Sequence, residues 1–217
     1  MIKKEKKDIL LIGGGDFAKK VIHLINSIQS YNIIGYTDIE DKGTLFSIPY
    51  LGNDKQFWTK EKPLPTKNIV ICIAGNLSLV KSKQLIIESY KKLGCNFPTL
   101  ISPNSFVNET SLIGNGVLLF DFAYVDFSTE IKDFSIINLK ATVCHDAKIG
   151  ENVLISPHTV ITGGVSIGDN SIIGTNSTIN PYIKINKNVV IGSNALVTKD
   201  ITDSGVYTGT PAKIKKK

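Results

Sequence analysis

From residue 101 onward an aliphatic side chain recurs at every sixth position without a miss. The series runs Ile101, Val107, Ile113, Leu119, Val125, Ile131, Ile137, Val143, Ile149, Ile155, Ile161, Ile167, Ile173, Ile179, Ile185, Ile191 and Val197. Four residues after nearly every member stands a small or β-branched residue, from Ser105 and Ser111 to Val189 and Ala195. A period of six fits neither an amphipathic helix nor an alternating strand. It marks a hexapeptide β-helix, in which each hexapeptide is a short strand with a corner and three hexapeptides close one triangular coil. The aliphatic residue fills the interior of the prism, and the small one fits near the corner. A β-sandwich would place turn signals at roughly 8–12-residue intervals and would drift out of this register.

Before residue 101 the pattern is different. Residues 8–12 form a short apolar run, followed by Gly13-Gly14-Gly15 and a helical stretch over 17–28. Residues 31–37 read as a second strand ending at Asp38. A turn-rich segment with Pro49, Gly52, Pro63 and Pro65 follows, with a short helix over 54–59. Residues 68–74 read as a buried strand, and 79–93 as a helix ending at Gly94. Strands alternating with helices imply a small parallel α/β sheet. The expected fold class is therefore α/β plus all-β: a Rossmann-like domain over 1–99 and a parallel β-helix over 100–217. The register ends at Asp203, and a terminal segment with Gly209 and Pro211 follows.

Bulk properties narrow the function. No apolar run is long enough to cross a membrane, and the stretch 9–12 behind the basic residues 1–8 is too short for a signal peptide. Cys72, Cys95 and Cys144 are odd in number and widely spaced, which argues against a disulfide framework and against a zinc site. A cytoplasmic location with no metal is the expectation. The net charge is +6, and all 25 basic residues are lysines. They are scattered, apart from Lys213, Lys215, Lys216 and Lys217, and no aromatic residues interleave with them to stack bases. This speaks against nucleic acid and suits small anionic substrates. Lysine meets phosphate as a point charge and not as a bidentate fork.

Two constellations could carry chemistry. The run Gly13-Gly14-Gly15-Asp16-Phe17-Ala18 matches G-x-G-x-x-A between a strand and a helix, where backbone N–H groups and the helix N-terminus favour a phosphate. Asp38, at the end of the next strand, stands where an acid often binds a ribose hydroxyl. A tight turn alone would also call for glycine. The second constellation is Cys144-His145-Asp146. His145 falls two residues after the inward Val143, at a corner and pointing outward. One coil further on is Gly163, which should stack above it, leaving space and an N–H beside the imidazole. That arrangement suits a general base next to an oxyanion donor. Asp146 would orient the ring. His158 falls on another corner and reads as surface or interface, and His23 as a packed or solvated helix residue. Only the neighbouring histidine could activate Cys144, so thiol catalysis is disfavoured.

With these residues in view, the chain resembles the bacterial NeuD/PglD-like nucleotide-amino-sugar N-acetyltransferases. The resemblance rests on Gly13 to Ala18, Ile73-Ala-Gly-Asn76, Asn138, His145-Asp146, Ile149-Gly150, Gly163, Ile191-Gly192 and Gly209-Thr-Pro-Ala-Lys213, and covers nearly all of the chain. It implies a left-handed β-helix and a homotrimer with active sites between subunits. It also implies acetyl-CoA along the β-helix edge, through Gly163, Gly174, Thr175, Gly192, Ser193, Pro211 and Lys213. The nucleotide-linked amino sugar would be held by the first domain, through Gly13, Gly14, Gly15, Asp16, Phe17, Asp38, Gly75 and Asn76. The family roles would make His145 the general base, Asp146 its acidic partner, Asn138 a shaping residue and Gly163 N–H the thioester-oxygen donor. Two positions depart from the family pattern: Leu154, where a second histidine can stand, and Phe17, where some members carry histidine. The expected reaction is N-acetylation by direct attack of the amine. O-acetylation of a sugar such as a sialic acid, or a non-catalytic nucleotide-binding scaffold, stay open as alternatives.

Overall fold

The computed structural model describes residues 5–59 and 61–215; Met1, Ile2, Lys3, Lys4, Lys60, Lys216 and Lys217 lie outside the described residues. The chain divides into two compact units, Met1–Leu100 and Ile101–Lys217.

The first unit contains β1 (Lys7–Ile12), α1 (Asp16–Ile28), β2 (Tyr31–Thr37), β3 (Tyr50–Gly52), α2 (Asp54–Trp58), β4 (Ile69–Ile71) and α3 (Leu77–Lys92). The four strands form one parallel sheet in the order β3-β2-β1-β4. Ile9, Leu10, Leu11 and Ile12 on the inner strand β1 are all 0% exposed. A continuous apolar run is what a parallel strand covered on both faces requires. Helix α1 buries Ala18, Val21, Ile22, Leu24 and Ile25, and ends at Gln29 in the left-handed region, whose N–H bonds Ile25 O. The segment read from sequence as turns holds β3. A three-residue edge strand beside Pro49 and ending at Gly52 leaves too short an apolar pattern to be recognised. The buried strand is also shorter than expected, and α3 starts two residues earlier, where Asn76 caps it.

The second unit is a β-helix of two- and three-residue rungs. Its first face carries Leu118–Leu119, Ile136–Ile137, Leu154–Ile155, Ile172–Ile173 and Val189–Ile191; its second carries Phe106–Val107, Tyr124–Val125, Thr142–Val143, Val160–Ile161, Thr178–Ile179 and Leu196–Val197. The third carries Leu112–Ile113, Glu130–Ile131, Lys148–Ile149, Ser166–Ile167 and Lys184–Ile185. Each rung pairs in parallel with the rung one coil on, as Thr142↔Val160 and Val143↔Ile161 do. Side chains stack in the same register: Asn152 and Asn170, 18 residues apart, are hydrogen-bonded at 2.9 Å.

From Leu119 to Val197 every member of the six-residue series is at most 3% exposed. Burying each such side chain fully is worth about 1.5–3 kcal/mol. Ile101 is the exception at 38% exposed, and Val107 and Ile113 are only partly buried, because the first coil has no coil of this unit beneath it. Where the second interior position is polar, its hydroxyl is satisfied. Ser135 Oγ donates to Gly150 O at 2.7 Å and accepts from Val153 N–H at 3.0 Å. From Ile113 to Ile191, corners close through a left-handed residue three after each aliphatic one, such as Asn152, Asn170, Asn176, Asn188 and Asn194. Asparagine tolerates that conformation better than most residues.

The register changes after Val197. Ile185 bridges Ile201, and Val190 pairs with Val206, so the last coil is two residues shorter than the others. Ile201, 6% exposed, fills the interior in place of the charged Asp203. Gly205–Thr208 then pairs antiparallel with Lys213–Ile214.

Candidate active site

The corner after the second face brings His145 and Gly163 together. Gly164 N–H bonds His145 O at 2.9 Å, which locks the two coils in register. A Cβ built on Gly163 would lie 2.6 Å from both Cε1 and Nε2 of the imidazole and 3.2 Å from Nδ1. The expected open space beside the ring is therefore absent. Gly163 is buried, and the imidazole fills the room a side chain would need. The backbone of Gly163 lies outside the left-handed region, so it is the imidazole, and not strain, that calls for glycine.

The ring is held on three sides. Asp146 Oδ2 lies 2.9 Å from Nδ1, Gly163 covers one face, and Phe127 stacks on the other with centroids 5.2 Å apart and planes 10° apart. With Nδ1–H donating to Asp146, Nε2 keeps its lone pair, the tautomer a base needs. Nε2 has no hydrogen-bond partner among the described residues. Asp146 adopts φ 58, the left-handed corner conformation, and this turns its carboxylate back onto the ring.

Gly163 N–H also stands out. At the same register position, Phe127 N–H donates to Asp126 Oδ1 at 2.8 Å and Leu139 N–H to Asn138 Oδ1 at 2.9 Å. The residue before Gly163 is Thr162, whose hydroxyl donates instead to Ile179 O at 2.6 Å. Gly163 N–H is left with no partner among the described residues. An acceptor nitrogen and an unpaired donor N–H thus share one corner. Cys144 is not activated: burial, and then Asp126, push its thiol up from the ordinary range.

The other β-helix candidates lie elsewhere on the same chain. Asn138, 8% exposed, sits on the corner after the first face, and one protomer does not bring it to His145. Gly174, Thr175, Gly192 and Ser193 stack above it on that corner, as does His158, one of the left-handed corner residues. Gly174 and Gly192 have structural reasons to be glycine. A Cβ on Gly174 would meet Ile191 O and Ser193 N at 2.6 Å, and one on Gly192 would meet Thr208 Cγ2 at 2.7 Å. Pro211 and Lys213 are exposed in the terminal segment, where Ala212 N–H bonds Leu196 O at 2.7 Å. Leu154 is a partly buried rung residue of the first face. His23 packs edge-on against Phe46 on the first unit, with centroids 5.1 Å apart.

The glycine-rich turn of the first unit opens on a cavity of about 510 Å³. Its lining includes Gly13, Gly15, Asp16, Phe17, Asp38 and Asp54. The three glycines differ. Gly13 has φ 103, which disfavours a side chain, and a Cβ on Gly14 would strike the Tyr36 ring at 2.3 Å. Gly15 has neither constraint: nothing lies within 4 Å of its Cβ position. Backbone conformation explains the first and packing the second, which leaves the third unexplained. Asp38 lines the cavity and is held in place by Gly14 N–H, which donates to its Oδ2 at 2.7 Å. Asp16 is paired with Lys19 at 2.9 Å, which lowers its carboxyl below the usual range. Gly75 and Asn76 do not line the cavity. Asn76 Oδ1 instead accepts Leu79 N–H at 3.1 Å as the α3 cap.

Sequence reasoning missed two residues. Asp54 lies in the cavity wall, 5% exposed, and its Oδ1 accepts the hydroxyls of Thr37 at 2.5 Å and Tyr90 at 2.7 Å. Burial raises its carboxyl above the ordinary range against those hydrogen bonds. Nothing local marks it, since the partners are distant in sequence. Phe127 was within reach, because it is one coil before His145 just as Gly163 is one coil after.

Comparison with known proteins adds to this geometry. Residues 8–80 match the PglD N-terminal domain, and residues 164–199 match the bacterial transferase hexapeptide, six repeats. The chain is 32% identical over 85 residues to GDP-perosamine N-acetyltransferase from Escherichia coli O157:H7, a match spanning 39% of this chain and 38% of that relative. Among solved structures, it resembles the acetyltransferase domain of PglB from Neisseria gonorrhoeae FA1090, with TM-score 0.89 and 29% identity over 97% of this chain and 100% of that one. It also resembles PerB from Caulobacter crescentus in complex with CoA and GDP-perosamine, with TM-score 0.87 and 26% identity over 96% of this chain and 97% of that one.

Proposed function

We propose that this chain, a member of the sugar N-acetyltransferase family that joins a PglD-type N-terminal domain to hexapeptide repeats, transfers acetyl from acetyl-CoA to the amine of a nucleotide-linked amino sugar. The observation that carries this reading is the pairing, on one corner, of His145 Nε2 with Gly163 N–H, both without a hydrogen-bond partner among the described residues.

The chemistry needs no acyl-enzyme. The amine lone pair attacks the thioester carbonyl carbon, the C–S bond breaks, and CoA leaves as the thiolate. His145 Nε2 takes the proton that the attacking nitrogen sheds, while Asp146 holds Nδ1–H and so keeps the tautomer. Gly163 N–H donates to the carbonyl oxygen as negative charge develops there, a contribution of about 10²–10³ in kcat for one such donor. Asn138 shapes the site without taking part in the bond changes.

In the first unit, Gly15 N–H and the start of α1 receive a phosphate, and the cavity takes the nucleoside end. The acidic lining of Asp16, Asp38 and Asp54 favours donor groups there over further phosphate. Acetyl-CoA would lie along the β-helix corners, in contact with Gly163 and, through backbone and hydroxyl groups, with Thr175 and Ser193. Because Asn138, Thr175 and Ser193 occupy a different corner from His145, the complete site is built in a homotrimer, each protomer supplying a different corner. Such closed symmetry is common among oligomers. The reaction belongs to cytoplasmic glycan-precursor synthesis. Among the described residues, no helix is long and apolar enough to cross a membrane.

The test is a thiol-release screen of GDP-, UDP- and dTDP-linked amino sugars with acetyl-CoA. CoA release that requires one of these sugars supports the proposal. No release above background with any of them overturns it. Light scattering should give a particle of about three times the 23.7 kDa chain mass; a fully active monomer would rule out the shared site.

A further inference from the structure

We propose that Phe127 is a positioning residue for His145: its ring is the platform that fixes the imidazole plane so that Nε2 faces the reacting amine. The proposal rests on the reading of His145 as proton acceptor.

The argument starts from the stacking column. Phe127, His145 and Gly163 occupy the same register position in three successive coils, on the corner after the second face. Their contacts are continuous. The Phe127 and His145 rings lie 10° from parallel at a centroid separation of 5.2 Å. On the opposite face, the imidazole occupies the space that a Cβ on Gly163 would need. Asp146 holds one edge, through Nδ1 at 2.9 Å.

Each contact removes a different freedom. Asp146 alone would leave the ring free to swing about the Nδ1···Oδ2 line. Gly163 offers one small backbone contact on one face. The flat surface of Phe127 is an extended contact on the other face, and it prevents the swing. Near-parallel aromatic pairs are worth more than their buried area alone.

Within one protomer Phe127 is 46% exposed and belongs to no interior position. A phenyl ring left half in water at a corner is costly surface, and here its face is spent on one neighbour. Coil-to-coil stacking for stability is the competing explanation, since Phe106 and Tyr124 on the second face stack similarly, 4.9 Å apart. The two explanations predict different losses. A stability role moves the melting temperature, whereas a positioning role moves kcat.

A misplaced base has a known scale, since a shift of about 1 Å can cost on the order of 10²-fold in rate. The loss of one of three restraints should cost less, about tenfold.

The experiment uses the full-length enzyme with Phe127→Leu, Phe127→Tyr, His145→Ala and the double variant Phe127→Leu/His145→Ala. Phe127→Leu keeps the apolar bulk and removes the flat face. It should lower kcat about tenfold with both KM values unchanged and the melting temperature nearly unchanged, while Phe127→Tyr keeps near wild-type kcat. The double variant should be no slower than His145→Ala alone, because Phe127 acts through the imidazole. Wild-type kcat in Phe127→Leu, or losses that multiply in the double variant, would overturn the positioning role and leave the base assignment standing. Full activity in His145→Ala would remove the base assignment itself and the positioning role with it. If Phe127→Leu fails to fold, a loss of kcat in the folded Phe127→Tyr variant as large as that expected for leucine would equally overturn the proposal, since tyrosine retains the platform.

Discussion

Gly163 sits one coil above His145, so close that a Cβ on it would stand 2.6 Å from the Nε2 that we assign as proton acceptor. A single methyl group at 163 must therefore move the imidazole, which Phe127 backs on its other face. Gly163→Ala should lower kcat by about 10²-fold, the cost of a misplaced catalytic group, with a modest fall in melting temperature, because the backbone there is ordinary and the displaced imidazole is 41% exposed. Gly163→Val should add a loss of acetyl-CoA binding. Calorimetry and steady-state kinetics separate the two. An alanine variant with wild-type kcat would show that the ring yields without consequence.

The two β-helix histidines should behave differently. His145→Ala should reduce kcat/KM by about 10²–10⁴-fold, the usual contribution of a positioned base, with acetyl-CoA affinity preserved. His158 lies on the other corner with no catalytic partner assigned to it, and His158→Ala should stay within a few-fold of wild type. Equal losses in the two would contradict the assignment of the base to the second corner.

At the glycine-rich turn, Gly15 is the informative position because the fold does not require it to be glycine. Gly15→Val should fold normally and raise the KM for the nucleotide sugar, with acetyl-CoA KM unchanged. Asp38→Ala should act more broadly. It removes the acceptor of Gly14 N–H, so a lowered melting temperature should accompany weaker nucleotide binding. A Gly15→Val enzyme with wild-type KM would place the phosphate elsewhere.

Asp54 gives a pH signature. Burial raises its carboxyl above the ordinary value in the folded state, so the folded protein holds a proton that the unfolded chain has released. Its stabilising contribution is complete at low pH and declines as pH rises from the unfolded value through the raised folded one. Asp54→Asn keeps an oxygen to accept the Thr37 and Tyr90 hydroxyls and cannot ionise. Its melting temperature, relative to wild type, should rise with pH across that window and then level off. A difference independent of pH would show that Asp54 titrates normally.

Much of the fold could be read from the chain because both units repeat simple patterns. The six-residue aliphatic series implies the coil, and coil arithmetic alone relates His145 to Gly163 and to Phe127. What the arithmetic cannot supply is how close the coils come. It suggests free space at Gly163, where the structure has an imidazole. Residues without a period were harder. Gly14 looks like a phosphate contact but is shaped by Tyr36, which folds over it from β2. Asn76 looks like a ligand residue and is a helix cap. Asp54, at the start of a short helix, looks like surface and is buried by Thr37 and Tyr90, 17 and 36 residues away. In each case the deciding contact is tertiary, and local sequence carries no trace of it.

The most direct test of the account is the identity of the product. The wild-type enzyme, acetyl-CoA and the accepted nucleotide-linked amino sugar should yield one acetylated sugar per CoA released. Mass spectrometry before and after mild hydroxide treatment distinguishes the linkage. An acetyl group that survives, with NMR coupling of the amide proton to the sugar ring, is the predicted result. An acetyl group lost as acetate would place it on a hydroxyl and contradict N-acetylation by this site.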